Sequence, residues 1–341
     1  MTKRGQAVHW NNAFTREYGV AVPLIGAGMA MISGPELVAA VSEAGGMGIL
    51  GTGPLPPELL RAQIRDVRLR TQRPFGVNLI VEQTTLGPAS TTEHVVVCIE
   101  ENVSPVVFFW NLPAKDWTAR LHSGGLKVWA TASSLVDAEQ AAAHGVDAIV
   151  VQGAEAGGHV RAQLGLIALV PAVRDATPDV LLVAAGGISD GRGVAAALAL
   201  GADAVCLGTR LIATRECAAH DEYKARVVAA KASDTTITQL FGPEWPDAPM
   251  RVIRNRAVSE GGPSLRDVNI GETSVFGQRY VLPHHSALLP TRDTQGDIDQ
   301  MCLAAGAGVG LVNEIAPAGE IVQSIMAGAA ACLRQRVDEL V

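Results

Sequence analysis

An α/β fold, with eight parallel strands closed into a barrel, is what the sequence predicts, on two observations. Eight short apolar runs bounded by turn residues recur along the chain, at 20–25, 47–50, 75–81, 106–110, 127–131, 148–151, 181–184 and 204–207. Segments of helical spacing lie between them, among them 35–44, 57–71, 134–144 and 191–200. Strands apolar nearly throughout need cover on both faces, and alternation with helices makes the sheet parallel through right-handed crossovers. Periodicity alone leaves an open, doubly wound sheet as the rival. Eight consecutive units without a break in rhythm favour the TIM (β/α)8 barrel.

The rhythm stops after Ala230. Residues 233–290 are polar and rich in Gly and Pro (FGPEWPDAP, SEGGPS, GETSVFGQ), and helical pattern returns at 297–310 and 315–340. The expected organisation is a barrel over 1–232, an insertion over one barrel end at 233–290, and C-terminal helices packing back on the barrel at 291–341. For 233–290 a linker without functional consequence is the alternative.

Composition removes several function classes. Apolar residues make up 48% of the 341 and charged residues 18%, which excludes disorder for most of the chain. A net charge of −7 and an aromatic content of 4% offer neither the basic stripe nor the stacking platform that nucleic acid requires. The five cysteines form no CxxC pair, and no uncharged apolar run of about 18 residues occurs, so a reduced, cytoplasmic protein with no membrane partner is expected.

In a barrel of this kind the chemistry lies at the C-terminal ends of the strands. AAGGISDGRG (184–193) follows the seventh run and CLGTR (206–210) the eighth, with Gly187 and Gly208 21 residues apart. Adjacent glycines let backbone N–H groups approach an anion, and a following helix N-terminus adds partial positive charge, so the two loops can hold a phosphate without lysine. Glycines needed only for turns are the plainer reading. VVQGAEAGGHV (150–160) leaves the sixth run, and its small residues allow a flat ring to lie against backbone. His159 then points into the same mouth as an imidazole of near-neutral pKa, the principal catalytic candidate. Glu155 is a second acid or base, or an acceptor that stabilises its loop, and Asn78 reads the polar edge of a heterocycle or caps a turn. His284 and His285 are adjacent, a poor arrangement for one ion, so no metal is expected. Of the five lysines only Lys127 falls in a barrel run, and it opens that run at the wrong end for a Schiff base.

These segments, with PLIGAGMA (23–30), PFGVNL (74–79) and AAGGISDGRGVAAALALGADAVCLGTRLIATREC (184–217), resemble the nitronate monooxygenase family, and LLPTRDTQGDIDQMCLAAGAGVGLV (288–312) adds a weaker echo. The resemblance implies FMN, with its phosphate on the backbone of Gly186, Gly187, Gly208 and Thr209. Gly28 and Met29 would approach the ring through main-chain atoms, and Asn78, Gln152 and Gly157 would contact the ring and ribityl chain. His159 matches the family's active-site histidine, expected to hydrogen-bond a nitro group or to remove the α-proton of a neutral substrate. The implied reaction is oxidation of an alkyl nitronate, and by extension a nitroalkane, by FMN and dioxygen to a carbonyl compound and nitrite. NAD(P)H-dependent reduction of a quinone or an enoyl thioester on the same flavin is the alternative, followed by a flavin-binding barrel without catalysis. Self-association to a homodimer is left open. Gly26 stands where the family commonly has Gln, a loss expected to enlarge the pocket or loosen a ring contact.

Overall fold

The computed structural model describes residues 9–53, 55–85, 87–262, 268–275 and 277–340. Eight parallel strands close a barrel: β1 (Leu24–Gly26), β2 (Met47–Gly51), β3 (Phe75–Ile80), β4 (Val106–Phe109), β5 (Val128–Ala132), β6 (Ala148–Gln152), β7 (Leu181–Ala185) and β8 (Ala204–Leu207). Each pairs with its neighbour in sequence, and β8 returns to β1 with Leu24 opposite Val205.

Closure follows from where alternate side chains go. Along β6, Ile149 and Val151 join the core between strands and helices, while Ala148 and Val150 point to the barrel interior. The strand's period of two therefore feeds one core beneath the helices and a second that the strands themselves enclose, and it is this second core that an open sheet lacks. Phe14 and Tyr18, from the helix Ala13–Tyr18, plug the interior beside Trp129, with ring centroids 5.8 and 5.1 Å from the indole and the Trp129 N–H donating to the Tyr18 hydroxyl at 2.6 Å. Such ring pairs contribute about 0.5–1.5 kcal/mol each beyond area burial. Lys127 lies at this same end, bonded to Glu17 at 2.7 Å and Asp147 at 3.2 Å.

The expected helices form at Pro35–Glu43, Pro57–Arg70, Leu135–His144 and Gly191–Ala199. Proline near the first turn starts the first two, because its missing N–H would have no helical partner there. The third is started by the Ser134 hydroxyl, which accepts from the Asp137 N–H at 3.1 Å. The chain ends in the helix Ala318–Leu340, packed on Gly191–Ala199 so closely that a Cβ at Gly191 would lie 2.3 Å from the Ala329 nitrogen.

Two sequence expectations need correction. Residues 297–310 are not a helix: only the short turns Ile298–Gln300 and Ala307–Leu311 wind, as 3-10 helix, and the stretch between runs extended over the barrel. Its small residues serve close backbone approach instead, since a Cβ at Gly308 would lie 2.5 Å from the Gly187 carbonyl oxygen. The Gly26 expectation also fails. A side chain there would meet Leu211 and Val41 at 3.2–3.3 Å, on the helix side of β1, and Gly26 does not line the pocket.

Within 233–290 the chain forms β9 (Thr235–Thr238) and β10 (Met250–Ile253), antiparallel to each other, and a hairpin of β11 (Asn269–Val275) and β12 (Gln278–Pro283). Residues 263–267 and 276 of that segment, and 1–8 of the expected barrel region, lie outside the described residues. β10 also pairs with the two-residue strand Gly158–His159, Met250 standing opposite His159. That pairing fastens the 233–290 segment to the loop leaving β6.

Candidate active site

All ten residues expected to catalyse or to hold a cofactor line one cavity at the C-terminal ends of the strands, roughly 310 Å³ in volume. That volume lies at the lower end of the 300–1,000 Å³ typical of small-molecule sites.

Each wall has a local cause. The chain leaving β1 brings Gly28 against β3, where a Cβ would lie 2.6 Å from the Asn78 Cβ, so only glycine passes. Asn78 is held through its carbonyl, which accepts from the Thr52 hydroxyl at 2.6 Å. Gln152 ends β6 and donates its amide N–H to the His159 carbonyl at 3.3 Å. Gly157 lines the cavity, but the direction of its absent side chain is taken by Ala305 and Gly306, with the Gly306 nitrogen 2.4 Å from where a Cβ would be. Glycine at 157 is thus required first by packing of the two loops. The Glu155 carboxylate accepts from the Leu166 N–H at 3.1 Å, at the start of the helix Leu166–Ala176, and is the loop-stabilising acceptor rather than the acid or base.

Beyond β7, Gly186 and Gly187 have φ of 121° and 68°, conformations that strain any residue with a Cβ. Beyond β8, Gly208 has an open side: a Cβ there would meet only Ala27 and Met29, at 3.7 Å. The Thr209 hydroxyl accepts from the Gly306 N–H at 2.9 Å, tying the C-terminal segment to this rim. One part of the expected anion cradle is otherwise engaged. The first-turn amides of Arg192 and Gly193 donate to the Asp190 carboxylate at 2.9 and 3.1 Å, so the helix Gly191–Ala199 has its N-terminus capped from within. Gly186, Gly187 and Gly208 with Thr209 form one rim of the cavity, where backbone and a hydroxyl would meet the phosphate and ribityl chain of a flavin nucleotide, and the close approach of Gly28 to Asn78 shapes another wall.

His159 stands between two indoles, its ring centroid 5.8 Å from that of Trp110 and 4.1 Å from that of Trp245. Its Nδ1 lies 3.2 Å from the Ala248 carbonyl. A carbonyl only accepts, so Nδ1 carries the proton and Nε2 is the acceptor. Burial pushes the imidazole down to about 4, partly opposed by that hydrogen bond. The ring is therefore neutral near pH 7, further from titration than its residue type suggests.

Sequence reasoning missed Trp110, Trp245, Tyr223 and Glu244, which also line or border the site. Trp110 reads as the last residue of a strand, yet its φ of 81° turns it out of β4 and toward His159. Tyr223 is fully buried with its hydroxyl donating to the Ala304 carbonyl. Trp245 and Glu244 sit in FGPEWPDAP, a stretch whose composition signals only a loop.

The family profile described as nitronate monooxygenase matches residues 11–328. A probable nitronate monooxygenase of Staphylococcus aureus (strain Newman) is 32% identical over 291 residues, 74% of this chain and 81% of that protein. A hydroxy-methyl-oxo-octahydroindene-carboxyl-CoA dehydrogenase of Rhodococcus jostii is 37% identical over 228 residues; the match takes in 67% of this chain and 62% of the dehydrogenase. Among solved structures, FabK from Thermotoga maritima superimposes with a TM-score of 0.80 at 32% identity, covering 97% of this chain and 100% of that one. A nitroalkane oxidase from Streptomyces ansochromogenes gives 0.79 at 29% identity, covering 95% and 99%. Among the described residues no helix is long and apolar enough to cross a membrane. The chain belongs to the nitronate monooxygenase family and is an oxidoreductase of that flavin-dependent group.

Proposed function

We propose that the protein binds FMN and oxidises alkyl nitronates, or the nitroalkanes from which they form, with dioxygen to a carbonyl compound and nitrite. The observation that carries this reading is His159, wedged between Trp110 and Trp245 with its proton committed to Ala248 and Nε2 left as an acceptor. The backbone of Gly186, Gly187, Gly208 and Thr209 would hold the phosphate, and Gly28, Met29, Asn78, Gln152 and Gly157 would receive the ring and ribityl chain. When bound, the flavin supplies the redox chemistry, taking electrons from the substrate and yielding them to dioxygen.

What the protein adds is orientation and proton handling. The two indoles fix the imidazole plane, and the Gln152 amide fixes its backbone. A neutral nitroalkane would lose its α-proton to Nε2, the C–H electron pair staying on the substrate as the nitronate, while a preformed nitronate would need only positioning. Residues 233–290 would act as a lid that excludes water, since Glu244, Trp245 and Met250 come from it, over a barrel at 1–232 and a C-terminal region at 291–341. A cytoplasmic location is part of the proposal, supported by five unpaired cysteines.

A second reading is favoured by the likeness to FabK, an enoyl-ACP reductase, and to a CoA-thioester dehydrogenase: reduction of an enoyl thioester or a quinone with NAD(P)H. Anaerobic mixing separates the two. Flavin absorbance bleached by a nitroalkane or its nitronate but not by NADH supports oxidation, and rapid bleaching by NADH supports the reductase. Colourless protein that cannot be reconstituted with FMN overturns both.

A further inference from the structure

A nitronate brings a negative charge into a cavity that offers it no cation. Among the described residues that line it there is no lysine or arginine, and burial keeps His159 neutral near pH 7. An anion held there must be met by neutral donors. The Tyr223 hydroxyl is already given to the Ala304 carbonyl, and one N–H of the Gln152 amide to the His159 carbonyl. Trp245 is placed differently. It lines the cavity, 9% exposed, with its ring centroid 4.1 Å from that of His159. An indole N–H out of water ordinarily finds an acceptor, as Trp129 does in the Tyr18 hydroxyl at 2.6 Å and Trp117 in the Thr92 hydroxyl at 3.0 Å. Among the described residues none accepts from the Trp245 indole N–H. Trp110, with its ring centroid 4.9 Å from that of Trp245, borders the cavity without lining it.

We infer that the indole N–H of Trp245 donates to an oxygen of the substrate's nitro or nitronate group and so takes the place of the missing cation. Contact with His159 puts it in reach. The nitro oxygens are two bonds from the α-carbon whose proton Nε2 receives, so a substrate held at Nε2 brings them to the neighbouring indole. When the α-proton moves to Nε2, the C–H electron pair stays on the substrate and its charge collects on those oxygens. The hydrogen bond from the indole strengthens as it does, because its acceptor becomes an anion. In a cavity lined largely by apolar side chains such a bond counts for more than it would in water. This rests on the function proposed above and names the group that recognises the nitro end of its substrate.

Trp245→Phe keeps an aromatic ring against His159 and removes the donor. A nitronate carries its charge before reaction and a nitroalkane acquires it only on the way to the transition state, so the one loss has two signatures. In the FMN-loaded variant, KM for ethyl nitronate should rise about 10- to 100-fold with kcat within about threefold, whereas for nitroethane kcat should fall about 10- to 100-fold with KM within about threefold. If only one of the two is a substrate, its half of the split decides. Any pattern without that split would overturn the inference and leave Trp245 a packing residue. The wild type gives a second reading that does not depend on the variant folding. Benzoate, whose carboxylate matches a nitronate in shape and charge, should move an indole N–H resonance downfield in the nitrogen–proton correlation spectrum of the FMN-loaded protein. A spectrum in which none of the five indole resonances moves downfield would overturn the inference as well. A protein that shows the benzoate shift yet oxidises neither nitroethane nor its nitronate keeps the donor and loses the proposed reaction.

Discussion

Nδ1 of His159 lies 3.2 Å from the carbonyl oxygen of Ala248, a residue that the sequence places 89 positions away, in the segment inserted after the barrel. That bond sets the tautomer of the proposed base from outside the barrel. His159→Ala removes the acceptor at Nε2 without disturbing the cradle at Gly186, Gly187 and Gly208. The expected outcome is intact folding and bound FMN, with turnover of nitroalkanes reduced by about 10²–10⁴, the range for loss of a general base. Steady-state rates beside the flavin spectrum of the same sample check it; a variant that loses colour as well would make His159 a cofactor ligand instead.

Burial holds His159 at about 4, and it holds His285 at about 4 as well, with His284 adding to the effect. Because the folded values lie below the usual 6.5, the unfolded chain takes up protons first as pH falls. Stability conferred by these neutral rings is complete above about pH 6.5 and is lost as pH drops toward about 4, by at most about 3 kcal/mol for each ring. Urea midpoints should fall between pH 7 and pH 5, and His285→Asn, whose side chain tolerates the φ of 63°, should flatten the fall. The nitroalkane rate should be level across neutrality and decline only near pH 4. An inflection near 6.5 would contradict the burial of His159.

Gly187 and Gly208 separate strain from binding. At Gly187 a methyl group would sit in left-handed backbone and 3.0 Å from the Glu155 Cβ, so Gly187→Ala should destabilise by about 1–2 kcal/mol in addition to weakening FMN. At Gly208 the backbone has φ of −105° and the new contacts are ordinary, so Gly208→Ala should leave stability within about 0.5 kcal/mol. Fluorescence titration with FMN should still show weaker binding in Gly208→Ala, because the open side of that residue is the cavity. Unchanged affinity there would move the phosphate elsewhere.

How far the sequence reveals this molecule depends on what each residue is buried against. The barrel was legible because a two-sided sheet demands runs such as AIVVQ and LLVAA, which nothing polar interrupts until the strand ends. The glycine rims were legible because positive φ and close approach leave few other choices at 186, 187 and 28. At 297–310 the alanines and apolar spacing suggest a helix, but the glycines among them disfavour one and serve close approach instead, Gly306 and Gly308 pressing on Glu155 and Gly187. Trp245 and Glu244 were invisible for a different reason: they reach the site through pairing of β10 with Gly158–His159, a contact spanning some 90 residues that no local pattern encodes.

Arg251 makes that long-range contact testable. It stands opposite Gly158, and its guanidinium donates twice to the Ala154 carbonyl, at 2.9 and 3.2 Å, and once to the Thr235 hydroxyl at 3.2 Å. Burial lowers its pKa from the ordinary arginine value, with Glu155 nearby opposing the shift, which marks a cation retained for geometry at some electrostatic cost. An ammonium group cannot reproduce the planar fork, so Arg251→Lys keeps the charge and loses the clamp on the loop that carries His159. If the clamp acts through the histidine, Arg251→Lys should lower kcat for nitroalkanes by about 3- to 30-fold in the wild-type background and by less than about twofold in His159→Gln. Equal losses in both backgrounds would show that Arg251 supports the fold of the 153–159 loop without positioning the base.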